Sequence, residues 1–297
     1  MFQPLLEAGL RQTMHRLVRP MLSNAVPLSL QRRLVRQAYR SSVPPRDVRF
    51  RKDDLGNVPV LRATPAQPAI GTILYLHGGG YIIGSAATHK GIAGQLAKLS
   101  GCEVIVPDYR LAPEHPYPAA PDDAESVYRA LLSQGIPASS VALAGDSAGG
   151  GLSLVLAMRL RDQNKPLPSS ITCFSPWTDL TQQQLYQPEC EPVLHASWTK
   201  NAARLYGGHT PLTNPMISPV FGDLTGLSPL LIQVGSQEIL LNDATRLAAV
   251  AKRDGVDTTL EIYNSLWHVF QVHSGQLDRA TEAVAVAADH IRRHLAG

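Results

Sequence analysis

A serine set between glycines, Gly145-Asp146-Ser147-Ala148-Gly149, follows the short apolar run Val141-Ala142-Leu143-Ala144 and opens a small-residue helical stretch from Gly150 to Met158. A serine hydroxyl attacks a carbonyl carbon only when a base removes its proton, so a nucleophilic serine must be presented at a sharp turn within reach of a histidine. Glycines at 145 and 149 suit that demand, because a tight strand-to-helix turn leaves no room for a Cβ on either side. The pattern predicts Ser147 as the nucleophile of an acyl transfer, standing above the carboxyl end of a buried strand. An ordinary glycine-rich turn has the same local signature, so the reading depends on what else the chain supplies.

A transition state with a developing alkoxide needs donors, and His77-Gly78-Gly79-Gly80 directly follows the apolar run Thr72 to Leu76. Glycines there let backbone N–H groups approach a negative oxygen without side-chain interference, each such donor contributing roughly 3 kcal/mol. Gly78, Gly79, Gly80 and Ala148, the residue after the serine, are the candidate oxyanion donors. The glycines fit phosphate binding less well, since no Gly-Lys-Ser/Thr ending is present and Ser147 would occupy the middle glycine of a dinucleotide fingerprint. His77 is expected to orient its loop through its ring nitrogens rather than to act as base.

Acyl-transfer catalysts built on this elbow run serine, acid, histidine along the chain. His268, in Trp267-His268-Val269-Phe270, comes after the last strand candidate and is the expected base; His273 is expected to be a surface group. Glu238 is the first carboxylate beyond the preceding strand candidate and is the expected acid. Asp243, its competitor, is expected to cap a helix beginning near Ala244. Glu238 would accept the Nδ1 proton of His268, fix the tautomer and stabilise the imidazolium formed as Ser147 attacks.

These groups need a scaffold, and from about residue 70 short apolar runs alternate with helical patterns, the signature of a mostly parallel sheet with helices on both faces. The runs are Thr72 to Leu76, Val104 to Val106, Val141 to Ala144, Ile171 to Phe174, Leu230 to Val234 and Thr259 to Tyr263. Ligands bind beyond the carboxyl ends of such strands, where the candidate residues fall. Prolines and Gly207-Gly208 interrupt the alternation from Gln182 to about Pro219, which reads as an insertion folding over the site. A final helix is expected from about Asp278 to His294. Arginines 11, 16, 19, 32, 33, 36 and 40 alternate with Leu10, Met14, Val18, Leu34 and Val35, predicting amphipathic N-terminal helices whose basic face is solvated.

One domain over residues 1–297, with cap elements at about 1–45 and 182–219, is the expected organisation. Hydrophobic content of 44%, charge of 17% and a net charge of +3 are those of a globular enzyme and do not suggest a nucleic-acid partner. Cys102, Cys173 and Cys190 have no metal-like spacing, and the odd count leaves no complete disulfide framework. Cys102 and Cys173 are expected in the core. The ten histidines show no ligand spacing, so no metal or cofactor is expected. No signal-like or bilayer-spanning apolar run opens the chain, and a cytoplasmic protein without stable membrane association is the simplest expectation.

Taken together, His77 to Gly80, Asp108 to Glu114 with Pro118-Ala119-Ala120, Gly145 to Gly149, Ser175 to Leu180 and Trp267-His268 resemble the hormone-sensitive-lipase family of α/β hydrolases, in its bacterial esterase branch. The resemblance runs from the N-terminal helices to the end of the chain. It implies an α/β-hydrolase fold with a helical cap, Ser147 as nucleophile, His268 as base and Glu238 as acid. Gly79, Gly80 and Ala148 become oxyanion donors, with Gly78 shaping their loop. Glu238 stands where most members carry aspartate. The resemblance further implies hydrolysis of short-chain acyl esters, or of lactones of the monoterpene ε-lactone kind by the same acyl-enzyme chemistry. Trp198, Tyr206, Leu205, Phe2 and Tyr81 are then candidates to line the pocket, and Thr259 to Tyr263 is a candidate edge for a homodimer. Plant hormone receptors of similar build capture a ligand without turnover but lack the histidine, which this chain keeps.

Overall fold

The structure, a computed structural model, describes residues 2–38 and 44–295; Arg40 lies outside the described residues. Eight strands form one sheet in the order β1-β2-β4-β3-β5-β6-β7-β8. They are β1 (Val48–Leu55), β2 (Val58–Pro65), β3 (Thr72–Leu76), β4 (Glu103–Pro107), β5 (Val141–Asp146), β6 (Ile171–Phe174), β7 (Leu230–Gly235) and β8 (Thr258–Tyr263). The sheet is parallel from β4 through β3 to β8, while β1 and β2 run antiparallel at one edge. All six expected strands are present. In β3, β5, β6 and β7 every residue is buried, as uninterrupted apolar runs covered on both faces require.

The hairpin of β1 and β2 is an addition to the expected sheet. Arg62 ties it down, reaching Asp53 of β1 and Glu103 of β4 at 2.6 Å each. At the opposite edge lies β8, with Ile262 exposed.

Helices cover both faces. On one side α4 (Lys90–Ser100) and α9 (Asp278–His294) pack Ile92, Leu96, Val284 and Ile291 over Ile73 and Val104. On the other, α5 (Ala119–Ser133), α6 (Ala148–Asp162) and α8 (Leu241–Arg253) join Val127, Leu152 and Leu247 to a core that includes Leu74 and Leu143. Cys102 and Cys173 are buried free thiols and Cys190 is half-buried.

Above the carboxyl ends of the parallel strands sit two further pieces. The N-terminal one comprises α1 (Phe2–Thr13), a π-helical turn at Met14–Val18, α2 (Arg19–Met21) and α3 (Leu28–Ala38); the other carries α7 (Ala196–Gly207). Trp198 of α7 donates its indole N–H to the Gln31 amide oxygen at 2.7 Å, joining the two. The N-terminal helices are amphipathic as expected, with Leu10, Met14, Val18 and Val35 lining a cavity, but their basic face is only partly solvated. Arg32 turns inward, pairing with both oxygens of Glu114 at 2.8 and 2.7 Å and donating to the Ile82 and Ala112 carbonyls. Its five donors in a planar fork suit that many acceptors at once. Among the described residues no helix is long and apolar enough to cross a membrane.

Candidate active site

Ser147 joins β5 to α6 at φ 52 and ψ −120, a conformation ordinarily reserved for glycine. Close packing enforces it. A Cβ on Gly149 would lie 1.9 Å from the Leu76 carbonyl oxygen, and one on Gly145 would lie 2.4 Å from the Gly149 carbonyl oxygen. The Ser147 N–H donates to the Phe174 carbonyl at 2.8 Å, and the Ser147 carbonyl accepts from Trp177 at 2.9 Å. The side chain opens, with His268, onto one cavity of about 260 Å³.

His268 follows β8 in the loop before a 3₁₀ turn at Phe270–His273. Its Nδ1 lies 2.7 Å from Oε2 of Glu238, which belongs to the turn after β7. Glu238 is fully buried, and Oε1 accepts from the Gly235 N–H and the Ser175 hydroxyl at 2.7 Å each. Ser175 in turn accepts the Val269 N–H at 3.0 Å, so one hydroxyl holds the acid and the histidine loop in register. No local pattern marks Ser175 for this part, since its positive φ of 46 just after β6 is set by packing. Burial pushes the His268 pKa down, but the bond and charge of Glu238, with the charges of Glu191 and Asp146, more than reverse this and leave it raised.

The glycine loop separates its three members. Gly79 and Gly80 have positive φ values of 119 and 61, and both line the cavity. Ala148 is the first residue of α6, where an N–H has no intrahelical acceptor. Gly78 does not fit the donor role first considered for it. Its N–H is spent on Asp146 Oδ1 at 3.0 Å, and a Cβ there would meet Asp146 Oδ2 at 2.1 Å.

Asp146 also accepts from the Tyr75 hydroxyl at 2.8 Å and faces His89 Nε2 at 3.3 Å. Burial opposes the charge on each partner of this pair, yet their mutual attraction leaves His89 raised and Asp146 lowered. Asp146, held by Tyr75 and His89, thus anchors the glycine loop through the Gly78 N–H. His77 orients the same loop as expected: its Nδ1 bonds the Gly78 carbonyl at 2.8 Å and its ring stacks on Tyr109 at 4.1 Å. Burial and the neighbouring His89 depress its pKa to about 3, so it stays neutral.

Two other expectations need correction. His273 is not a surface group: it is buried, lines the cavity, and burial depresses its pKa to about 4. Asp243 does not cap α8, which begins at Leu241. It lies inside the first helical turn, and its Oδ2 accepts the N–H groups of Thr178 and Asp179 at 2.8 Å each. Because burial raises its pKa from 3.8 to about 7, its contribution to stability is complete below 3.8 and is lost as pH rises toward 7. Asp243→Asn is expected to keep ester hydrolysis near wild type and to flatten the thermal-stability profile between pH 3.8 and 7. Loss of activity on the scale of a triad variant would show that the wrong carboxylate has been assigned.

Of the pocket candidates only Trp198 lines the cavity. Tyr81 and Tyr206 stack on each other at 3.7 Å and 7° behind the wall, Leu205 packs on the core, and Phe2 is 72% exposed. The apolar walls come instead from Leu10, Met14 and Val18 of the N-terminal piece and from Val193 and Leu194 ahead of α7.

A mostly parallel sheet with a strained serine between its fifth strand and the following helix is the architecture of the α/β hydrolases. A family model described as the alpha/beta hydrolase fold matches residues 73–272. The chain is 39% identical over 253 residues to an acetyl-hydrolase of Streptomyces hygroscopicus, covering 84% of this chain and 83% of the relative. It is 37% identical to an esterase of Acinetobacter venetianus over 226 residues, 73% of each. Among solved structures, a hormone-sensitive lipase from a metagenome library superposes with a TM-score of 0.92 at 34% identity, covering 100% of this chain and 99% of that one. An esterase from the bacterial hormone-sensitive lipase family superposes at 0.90 with 34% identity over 96% and 98% of the two chains. The chain belongs to the hormone-sensitive-lipase family of α/β hydrolases and is a carboxylic ester hydrolase.

Proposed function

We propose that this hydrolase cleaves esters of short acyl chains through an acyl-serine intermediate, with Ser147 as nucleophile, His268 as general base and Glu238 as the orienting acid. The observation that carries the reading is the 2.7 Å bond from His268 Nδ1 to Glu238, made beside the cavity onto which Ser147 opens. Nδ1–H held by the carboxylate leaves Nε2 free to take the serine proton and later to return it to the leaving alcohol. Attack on the ester carbonyl places the oxyanion among the N–H groups of Gly79, Gly80 and Ala148. Collapse expels the alcohol, and a water deprotonated by His268 then releases the acid.

The short-chain preference rests on the modest cavity, about 260 Å³ and walled by aliphatic side chains, and on the acetyl-hydrolase among the relatives. The architecture we infer is a single domain over 1–297 in which elements of about 1–45 and 182–219 roof that cavity. The test is a panel of p-nitrophenyl esters from acetate to laurate beside ε-caprolactone and a terpene lactone. Acetate and butyrate are expected to give the highest kcat/KM, falling steeply toward laurate. Lactones outpacing both would replace the reading with a lactonase, and absence of any turnover would replace it with ligand binding.

A further inference from the structure

Glu191, in the segment ahead of α7, has a carboxylate with no salt-bridge partner among the described residues. Among the described residues its hydrogen bonds are to backbone N–H groups, and they reach two places that the proposed catalysis needs. Oε1 accepts from Val193 at 2.7 Å and Leu194 at 3.0 Å, the residues that wall the cavity. Oε2 accepts from Ile239 at 2.8 Å, the residue after Glu238. A parallel strut joins the neighbouring residues, with the Cys190 N–H donating to the Gln237 amide oxygen at 3.3 Å.

Burial raises the Glu191 pKa, and its three backbone N–H bonds and the charge of His268 work against that rise. Three carboxylates bear on His268: Glu238, which bonds it, and Glu191 and Asp146, which act through space. His268 is correspondingly the cation that acts on Glu191. In the ground state that cation is absent, because a general base must be neutral. It forms as Ser147 gives up its proton, so an interaction with it is stronger in the transition state than before it.

We propose that Glu191 is a positioning residue of the hydrolysis, clamping the turn that carries Glu238 to the cavity wall at Val193 and Leu194. The proposal rests on the triad reading given above. It assigns the inserted segment a part in catalysis besides roofing the pocket: the wall that meets the substrate and the turn that holds the acid are fastened to one carboxylate.

Replacing Glu191 by Gln removes the charge and leaves one oxygen for three donors. Glu191→Gln is expected to lower kcat about tenfold, equivalent to roughly 1.4 kcal/mol. Loss of a negative charge near His268 lowers the pH at which it becomes a free base, so the acid limb of kcat/KM is expected to move to lower pH. Glu191→Asp, which keeps the charge on a shorter arm, is expected to retain the wild-type acid limb while losing kcat. A purely structural role would move thermal stability and KM but not the acid limb.

An unchanged acid limb and kcat in a folded Glu191→Gln would overturn the proposal. Should that variant not fold, Glu191→Asp decides, since wild-type kcat with the carboxylate withdrawn by one methylene would equally overturn it. Ser147→Ala and His268→Ala are run alongside. Activity surviving in those two would sink the triad reading, whereas their inactivity beside an unaffected Glu191→Gln would sink only the role of Glu191.

Discussion

Ser147→Ala is expected to lower kcat for p-nitrophenyl butyrate by about 10⁴-fold or more, leaving at most the residual catalysis of an oxyanion site without a nucleophile. On the proposed mechanism the hydroxyl forms the covalent intermediate, and its removal from the tip of the elbow leaves no replacement. Alanine keeps the Cβ, and with it the cost of holding a non-glycine residue at φ 52 and ψ −120. Ser147→Gly should be equally inactive yet more stable than Ser147→Ala by about 1–3 kcal/mol, because glycine occupies this conformation without strain. Thermal unfolding of the two variants measures that difference, and activity assays measure the loss. An active Ser147→Ala would remove the serine mechanism altogether; a glycine variant less stable than the alanine one would show that the elbow is not strained.

Glu238→Gln is the second large effect, an expected fall in kcat of about 10³–10⁴-fold. Oε1 of Glu238 is already committed to the Gly235 N–H and the Ser175 hydroxyl, both donors. A glutamine would keep its oxygen there, so its NH₂ would face His268 Nδ1. That nitrogen would have to become the acceptor and Nε2 would carry the proton, the wrong tautomer for a base. The carboxylate that stabilises the imidazolium would be lost at the same time. Steady-state kinetics of Glu238→Gln beside Asp243→Asn checks the assignment, and a greater loss in the Asp243 variant would reverse it.

Glu238 is fully buried and held from three directions. Its carboxylate reaches His268 at 2.7 Å and returns to the N–H of Gly235, three residues before it in its own turn. Its remaining demand is met by Ser175, which comes from the end of β6. Stretches distant in the chain therefore fix one carboxylate, and no window of sequence contains them together.

Elements whose cause is local were legible in the chain itself. Buried strands read as apolar runs, and the elbow reads as glycines flanking a serine, because a tight turn forbids a Cβ within a few residues of where it occurs. The loops after β7 and β8 follow neighbouring strands of a parallel sheet, so chain order alone could bring Glu238 and His268 together. The antiparallel hairpin escaped: β1 reads Val-Arg-Phe-Arg-Lys-Asp-Asp-Leu, an edge strand with polar side chains. Its only cue was the Gly56-Asn57 turn, two residues with positive φ of 58 and 64.

Packing alone decided the rest. Whether a glycine N–H in the oxyanion loop is free depends on where the Asp146 carboxylate points, which removed Gly78 from the donors. Whether a histidine five residues from His268 is exposed depends on what the cap lays over it, and His273 proved buried. Which residues wall the cavity depends on how two segments from opposite ends of the chain close over the strand tips, so Met14 and Val193 line it where Phe2 and Tyr206 do not. Backbone chirality and glycine act over a few residues and can be read in order; hydrogen-bond partnership and burial are settled only when remote segments compete for the same space.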